Sequence, residues 1–158
     1  MNERSSSGGG FLPDVCSDWE SAASVVEECG VRTVFLRSGI VLTATGGALG
    51  KMLLPFQLGA GGPMGGGKQW MSWISLDDEI YAIHHLLMSK GSSGAYNLTA
   101  PEPARQKRFA KVLGRVLRRP AFAPIPRFAI KTIFGEMGVS LTLESQRVTP
   151  DRLIEEGF

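Results

Sequence analysis

Cysteine, histidine and tyrosine are scarce in this sequence, at two of each in 158 residues. Cys16 and Cys29, thirteen positions apart, cannot make a disulfide framework, and nothing else signals an oxidising compartment. His84 and His85 are neighbours whose side chains would diverge by about 100° on a helix, so no metal site is expected. Charge of one sign is lacking too, since 17 Lys and Arg against 15 Asp and Glu leave +2, which names no partner. No apolar run approaches the ~18 residues of a membrane span. The opening MNERSSSGGG has one Arg and no apolar stretch, so it is not read as a secretory signal.

What is present is ordinary globular composition, 43% apolar, with an unusual glycine count of 20. Nine of those glycines lie between Gly46 and Gly67, a clustering that points to a working surface. A helix is predicted from about Pro13 to Cys29, with Gly30 suiting its stop. VRTVFL follows as a strand apolar on both faces, the kind found in parallel sheets. A second helix runs from about Ala48 to Leu58, then the loop LGAGGPMGGGK and the aromatic strand QWMSWIS. Ser75 and Asp78 form a capping pair that opens a helix through about Met88, and AYNLT is a further strand.

From about Ala104 to Leu117 the pattern is strongly amphipathic. Phe109, Val112, Leu113, Val116 and Leu117 share one face, and Lys107, Arg108, Lys111, Arg115, Arg118 and Arg119 share an arc of about 120°. A helix from about Arg127 to Met137 and a last one opened by Thr149-Pro150 complete the chain. Strands and helices alternate as in α/β proteins, yet only about three convincing strands are legible, where a doubly wound nucleotide domain needs five or more. VRTVFL has nothing upstream to flank it, which implies that part of the domain lies outside this sequence.

GPMGGGK, Gly62 to Lys68, has the spacing of a phosphate-cradling loop. Gln69 stands where Ser or Thr is required, and a strand follows instead of a helix whose N-terminus would hold phosphate. A flexible or tightly turned loop lining a cleft is expected instead. No G-x-G-x-x-G follows a predicted strand. Tyr81 and Tyr96 are followed four positions on by His85 and Ala100, so there is no Tyr-x-x-x-Lys couple. Trp70 and Trp73 read most simply as core or cleft aromatics, sent to opposite faces of one strand. Asp77 and Asp78 read as helix-capping carboxylates. From Arg105 to Lys131 there are nine Lys and Arg and no acid, a face that suits either solvent or a polyanion.

The stretch RSGIVLTATGGALGKMLLPFQLGAGGPMGGGKQWMSWISLDDEIYAI, with NLTAPEP downstream, resembles the later half of the epimerase-like, atypical extended short-chain dehydrogenases, the YfcH/SulA-like family. The ending, FAPIPRFAIKTIFGEMG with LESQRVTPDRLIEEGF, is similar to the small domain of unknown function that closes those proteins. The match runs from about Phe11 to Phe158.

The resemblance implies an α/β fold. An incomplete Rossmann-type parallel sheet, made of its last strand–helix units, is followed by a small, mainly helical C-terminal domain. Residues 1–10 are a disordered start, 11–100 the later part of the NAD(P)-binding domain with a cleft loop at 59–69, and 101–158 the truncated C-terminal domain. The cofactor implied is NADP, bound in the full-length parent, whose phosphate-binding Gly turn is expected to precede Met1. If Glu20 matches the glutamate that follows the superfamily's Tyr–Lys couple, Leu12 and Cys16 occupy the couple's positions. Relatives in this atypical family generally lack the couple as well.

Arg37, Ser38, Gly39, Ile40 and Val41 are carried over as cofactor-side lining. Thr43 and Thr45 depart from the family's glycines just beyond. Gln69, Trp70, Ser72 and Trp73 are carried over as substrate-side lining. No catalytic residue is assigned.

The expectation is a partial chain of an NAD(P)-binding epimerase/dehydratase-like oxidoreductase, inactive alone, whose parent takes a small-molecule substrate. Membrane and nucleic acid are not expected partners, and the compartment is left open between cytoplasm and a plastid or other organelle. Two alternatives stand beside it: a non-catalytic interaction or regulatory module linked to plastid or cell division, and polyanion binding through the basic helix 104–119.

Overall fold

The structure is a computed structural model that describes residues 1–126, 128, 130, 132 and 145–158. Its elements are α1 (Phe11–Glu28), β1 (Val34–Ser38), β2 (Ile40–Leu42), α2 (Gly47–Gln57), β3 (Trp70–Met71), β4 (Trp73–Ser75), α3 (Leu76–Met88), β5 (Gly94–Leu98), β6 (Ala104–Arg105), α4 (Gln106–Val116) and α5 (Asp151–Glu155). The helix expected over Arg127 to Met137 lies for the most part outside the described residues.

β1 pairs in parallel with β5, with Leu36 opposite Tyr96, and β2 pairs in parallel with β4, with Val41 opposite Ile74. β1 and β2 are one run of chain that changes partner at Gly39. The Gly39 N–H still bonds the Leu98 carbonyl at 2.9 Å, and the next N–H, of Ile40, already bonds Ser72 at 2.8 Å. A Cβ at Gly39 would lie 2.8 Å from the Ser72 oxygen and 2.9 Å from Thr99 Cγ2, so only glycine lets three backbones converge here.

Three expectations are corrected. Among the described residues there are six short strands in three pairs, not three strands, because IVL and Ala104–Arg105 also ladder and the aromatic strand counts twice. The aromatic strand is divided at Ser72: β3 pairs antiparallel with β6, while β4 pairs with β2. The basic helix is shorter than 104–119, since Ala104 and Arg105 belong to β6 and Arg118 turns left-handed (φ 54°) to end the helix after Val116.

Two apolar clusters hold these pieces. Met52, Phe56, Met64, Ala110, Leu113 and Ile130 join α2 and α4, while Ile74, Ala82, Leu86, Tyr96, Leu98 and Leu153 seat α3 and α5 on the sheet. Each fully buried large side chain contributes roughly 1.5–3 kcal/mol. α3 is fixed at both ends. The Ser75 hydroxyl accepts from the Asp78 N–H at 3.0 Å, as the capping pair predicted. At the other end the Arg32 guanidinium donates to the carbonyls of Leu86, Leu87 and Ser92. The first residues, expected to be disordered, meet definite partners: Met1 bonds Arg147 and Thr149, Asn2 bonds Asp151, and a Glu3 carboxylate oxygen accepts from the Asn97 N–H.

Candidate functional site

The C-terminal ends of β1 and β5, the change of partner at Gly39 and the first turn of α3 converge. In open α/β sheets, ligands bind beyond these carboxyl ends. The Arg37 guanidinium donates two hydrogen bonds to Glu20 of α1, at 2.7 and 2.6 Å. The Arg37 partnership holds the Glu20 carboxyl below its usual range, and the same pair raises Arg37. The Ser38 hydroxyl donates to Glu79 at 2.6 Å, while Ile40 and Val41 are half-buried. Sequence reasoning did not single out Glu79 or Thr99. Both are buried, and Glu79 Oε2 and Thr99 Oγ1 have no hydrogen-bond partner among the described residues. Spacing alone hinted at Glu79, which shares the sheet-facing stripe of α3 with Ala82 and Leu86.

The residues carried over for the substrate side divide in two. Gln69 and Ser72 are buried and bonded within the protein. Gln69 donates to the Met64 carbonyl, and the Ser72 hydroxyl donates to Gln146 and accepts from Val148. Trp70 and Trp73 are half-buried. Trp70 is flanked by cations that the linear pattern did not reveal, with Arg105 and Arg147 over its ring at 4.0 and 4.8 Å from the centroid. Beside Met52 and Met64, a small apolar recess is lined by Ile40, Leu42, Ala48 and Met71.

The glycine loop is tightly turned, with positive φ at Gly65, Gly66 and Gly67. Its concave side is filled by protein: a Cβ on Gly62 would lie 1.8 Å from the Ala123 oxygen, and one on Gly67 would meet Lys107 Cβ at 2.8 Å. A Cβ on Gly66, by contrast, would meet nothing within 4 Å, so the packing is confined to the two ends of the turn.

A second polar cluster joins α5 to β5. Glu156 accepts from Tyr96 and, at 2.6 Å, from Ser92, while Arg152 donates to the Tyr96 hydroxyl and stacks on its ring at 3.9 Å. Burial pushes the Glu156 carboxyl up, but bonds from Ser92 and Tyr96 and the nearby His85 and Arg152 outweigh it, so its pKa falls below the ordinary value. Tyr96 moves up, through burial first and Glu156 second. Sequence reasoning took His85 as structural; here it stands 3.7 Å from Glu156 and 5.6 Å from the Phe158 ring. Among the described residues no His, Cys, Asp and Glu side chains group as a metal site, and no helix is long and apolar enough to cross a membrane.

The open side of β1 is the largest anomaly. Among the described residues no strand pairs its second edge, and Leu36 is 42% exposed. α1 buries none of its eighteen residues, leaving Trp19 72% exposed. On α3 the stripe Leu76, Ile80, Ile83 and Leu87, spaced as one helix face, is exposed as well. The strand read as apolar on both faces is therefore only partly covered here.

Comparison with known proteins agrees with this picture. A family described as a domain of unknown function, DUF1731, matches residues 125–158. The whole chain is 43% identical to a chloroplastic epimerase family protein SDR39U1 homolog of Arabidopsis thaliana, covering 45% of that protein. It is 39% identical to an epimerase family protein of Mycobacterium bovis, covering 52% of it. The human epimerase family protein SDR39U1, solved with NADPH, superposes on all of this chain with a TM-score of 0.87 at 38% identity, and 54% of that chain is covered. A nucleoside-diphosphate sugar epimerase from Corynebacterium glutamicum superposes on 99% of it with a TM-score of 0.67 at 28% identity, and 36% of that structure is covered. The chain thus spans about half the length of the curated relatives it matches; these are epimerase-family proteins, and its architecture is α/β, part of a Rossmann-type sheet.

Proposed function

We propose that this chain is the substrate-side part of an NADP-dependent, epimerase/dehydratase-like oxidoreductase of the YfcH/SulA-like kind, and that alone it does not turn over substrate. One observation carries the reading: the uncovered apolar surface of β1, α1 and α3, in a chain about half as long as its relatives. Parallel sheets are covered on both faces, so this surface matches a neighbouring strand and its helices.

The residues present fit one end of the cofactor. Ile40 and Val41 offer half-buried apolar surface, Gly39 bare backbone, and Glu79 Oε2 and Thr99 Oγ1 polar atoms in want of a partner. That is the chemistry of a nicotinamide ring and its amide. Among the described residues the glycine-rich turn offers no comparable cradle for the phosphates, since Gly62 is packed on Ala123 and Gly67 on Lys107. When bound, the cofactor supplies or accepts hydride; the chain's own part is to orient the ring end and exclude water. Arg37, paired with Glu20, braces the strand end and is not available as an acid or base.

A direct test titrates NADPH into the 158-residue chain, and into a fusion that joins it to the unmatched portion of the human relative. Tight binding by the fusion and none by the chain alone is expected. Micromolar binding by the isolated chain overturns the proposal.

A non-catalytic module is the second reading. It is favoured by the lack of a Tyr-x-x-x-Lys couple: if Glu20 matches the glutamate that follows that couple, its positions are held by Leu12 and Cys16, both exposed on α1. Catalytic turnover by the fusion would refute it.

A further inference from the structure

We infer that the outward face of α4 is a seat for duplex DNA, held through its backbone phosphates. The sequence leaves this helix between solvent and a polyanion, and the structure shows how its two faces are used. Ala110 and Leu113 are buried in the cluster that joins α4 to α2, with Phe109 and Leu117 packed beside them. Lys107, Arg108, Lys111 and Arg115 all stand exposed on the other side. They fall within an arc of about 100° and along about 12 Å of helix axis. Arg118 and Arg119, exposed as well, extend the row past the helix end.

None of these six side chains makes an ion pair or donates a hydrogen bond among the described residues, where the ion pairs found belong to Arg4, Arg37 and His85. No Asp or Glu occurs between Glu102 and Glu136, so the segment holds no acid to neutralise them. A net charge of +2 for the whole chain hides this one-sided field.

Geometry chooses the polyanion. A helix that lies on a membrane sinks its apolar face into the lipid. That face of α4 is already packed on α2, so it has nothing to insert. What α4 offers is a ridge of cations about 10–12 Å across. The major groove of B-form DNA is about 12 Å wide and walled by phosphates on both sides. Cations spread over a broad arc reach both walls at once. Val112 and Val116, exposed on the flank of the ridge, are small apolar groups of the kind that meet thymine methyls. The deep, narrow major groove of an RNA duplex does not admit such a helix.

The test is fluorescence anisotropy of a labelled 20-base-pair DNA duplex titrated with the 158-residue chain at several salt concentrations. With about four phosphates contacted, log K should fall with log salt at a slope of about −3.6, which weakens binding roughly a hundredfold between 50 and 200 mM. The double variant Lys111→Gln, Arg115→Gln should halve that slope and weaken binding at least about tenfold at 50 mM. Arg4→Gln with Lys90→Gln removes two exposed cations away from α4 and should change affinity by less than about twofold. Should the first double variant not fold, Lys107→Gln with Arg108→Gln, on the same face, takes its place. No binding at 50 mM, equal weakening by the control pair, or an RNA duplex bound as tightly as DNA overturns the inference. Binding to phosphatidylserine vesicles without binding to DNA overturns it too. The inference does not rest on the cofactor reading, so its failure and failure of NADPH binding by the fusion are separate results.

Discussion

Replacing Gly62 by alanine tests whether the glycine loop is a packed joint or an open ligand cradle. The new Cβ would stand 1.8 Å from the Ala123 carbonyl oxygen and 2.8 Å from its carbon, both backbone atoms that no rotamer change can move. Relief to an ordinary carbon–oxygen contact needs a separation of about 1.5 Å. That movement breaks the 2.8 Å bond from the Ile125 N–H to the Pro63 carbonyl and the bridge between Met64 and Ile125. It also unseats Met64, a buried member of the α2–α4 cluster. One net hydrogen bond, ~1 kcal/mol, and overpacking strain of ~1–3 kcal/mol give a loss of roughly 2–4 kcal/mol. In urea, with a slope of ~1.5–2 kcal/mol per molar, the unfolding midpoint should fall by about 1–3 M. Gly91→Ala is the control, since a Cβ there has nothing within 4 Å, and its change should stay within ~0.5 kcal/mol. Equal midpoints for the two variants would show that the loop is not closed against residues 121–125.

The docking of α5 should be acid-labile. Glu156 is depressed in the folded state, so its contribution is fully present above the ordinary carboxylate value of 4.5 and is lost as pH falls below it through the folded pKa. Urea midpoints measured between about pH 6 and 3 should fall less steeply in Glu156→Gln; identical slopes would refute the assignment. Ser72→Ala strands the Val148 N–H and the Gln146 carbonyl, bonded at 2.9 and 2.8 Å. It should cost ~1–3 kcal/mol and speed hydrogen exchange at the Val148 amide, and unchanged exchange there would contradict the structural role given to this hydroxyl.

Local signals were legible where chemistry and periodicity are local. The extents of α1, α2 and α3, the Ser75–Asp78 cap and the strand AYNLT follow from apolar spacing and capping residues within a few positions. The splitting of QWMSWIS was not legible, because strand identity depends on partners: β6 and β2 lie more than thirty and about thirty positions away, respectively. Arg37 and Ser38 could be nominated from the strand end, but their partners Glu20 and Glu79 come from helices on either side in sequence. Gln69 and Ser72 look like lining residues as letters, and only burial shows that Met64, Gln146 and Val148 take up their polar groups.

The sequence by itself determined the α/β alternation, the doubly apolar strand and the mismatch between that strand and its few neighbours, since these rest on the order of residue types along the chain. Tertiary structure alone decided that the glycines serve backbone-to-backbone packing, that two distant arginines share one indole, and which side of β1 stands bare. Those are facts about distance between segments remote in sequence, set by packing that no local pattern encodes.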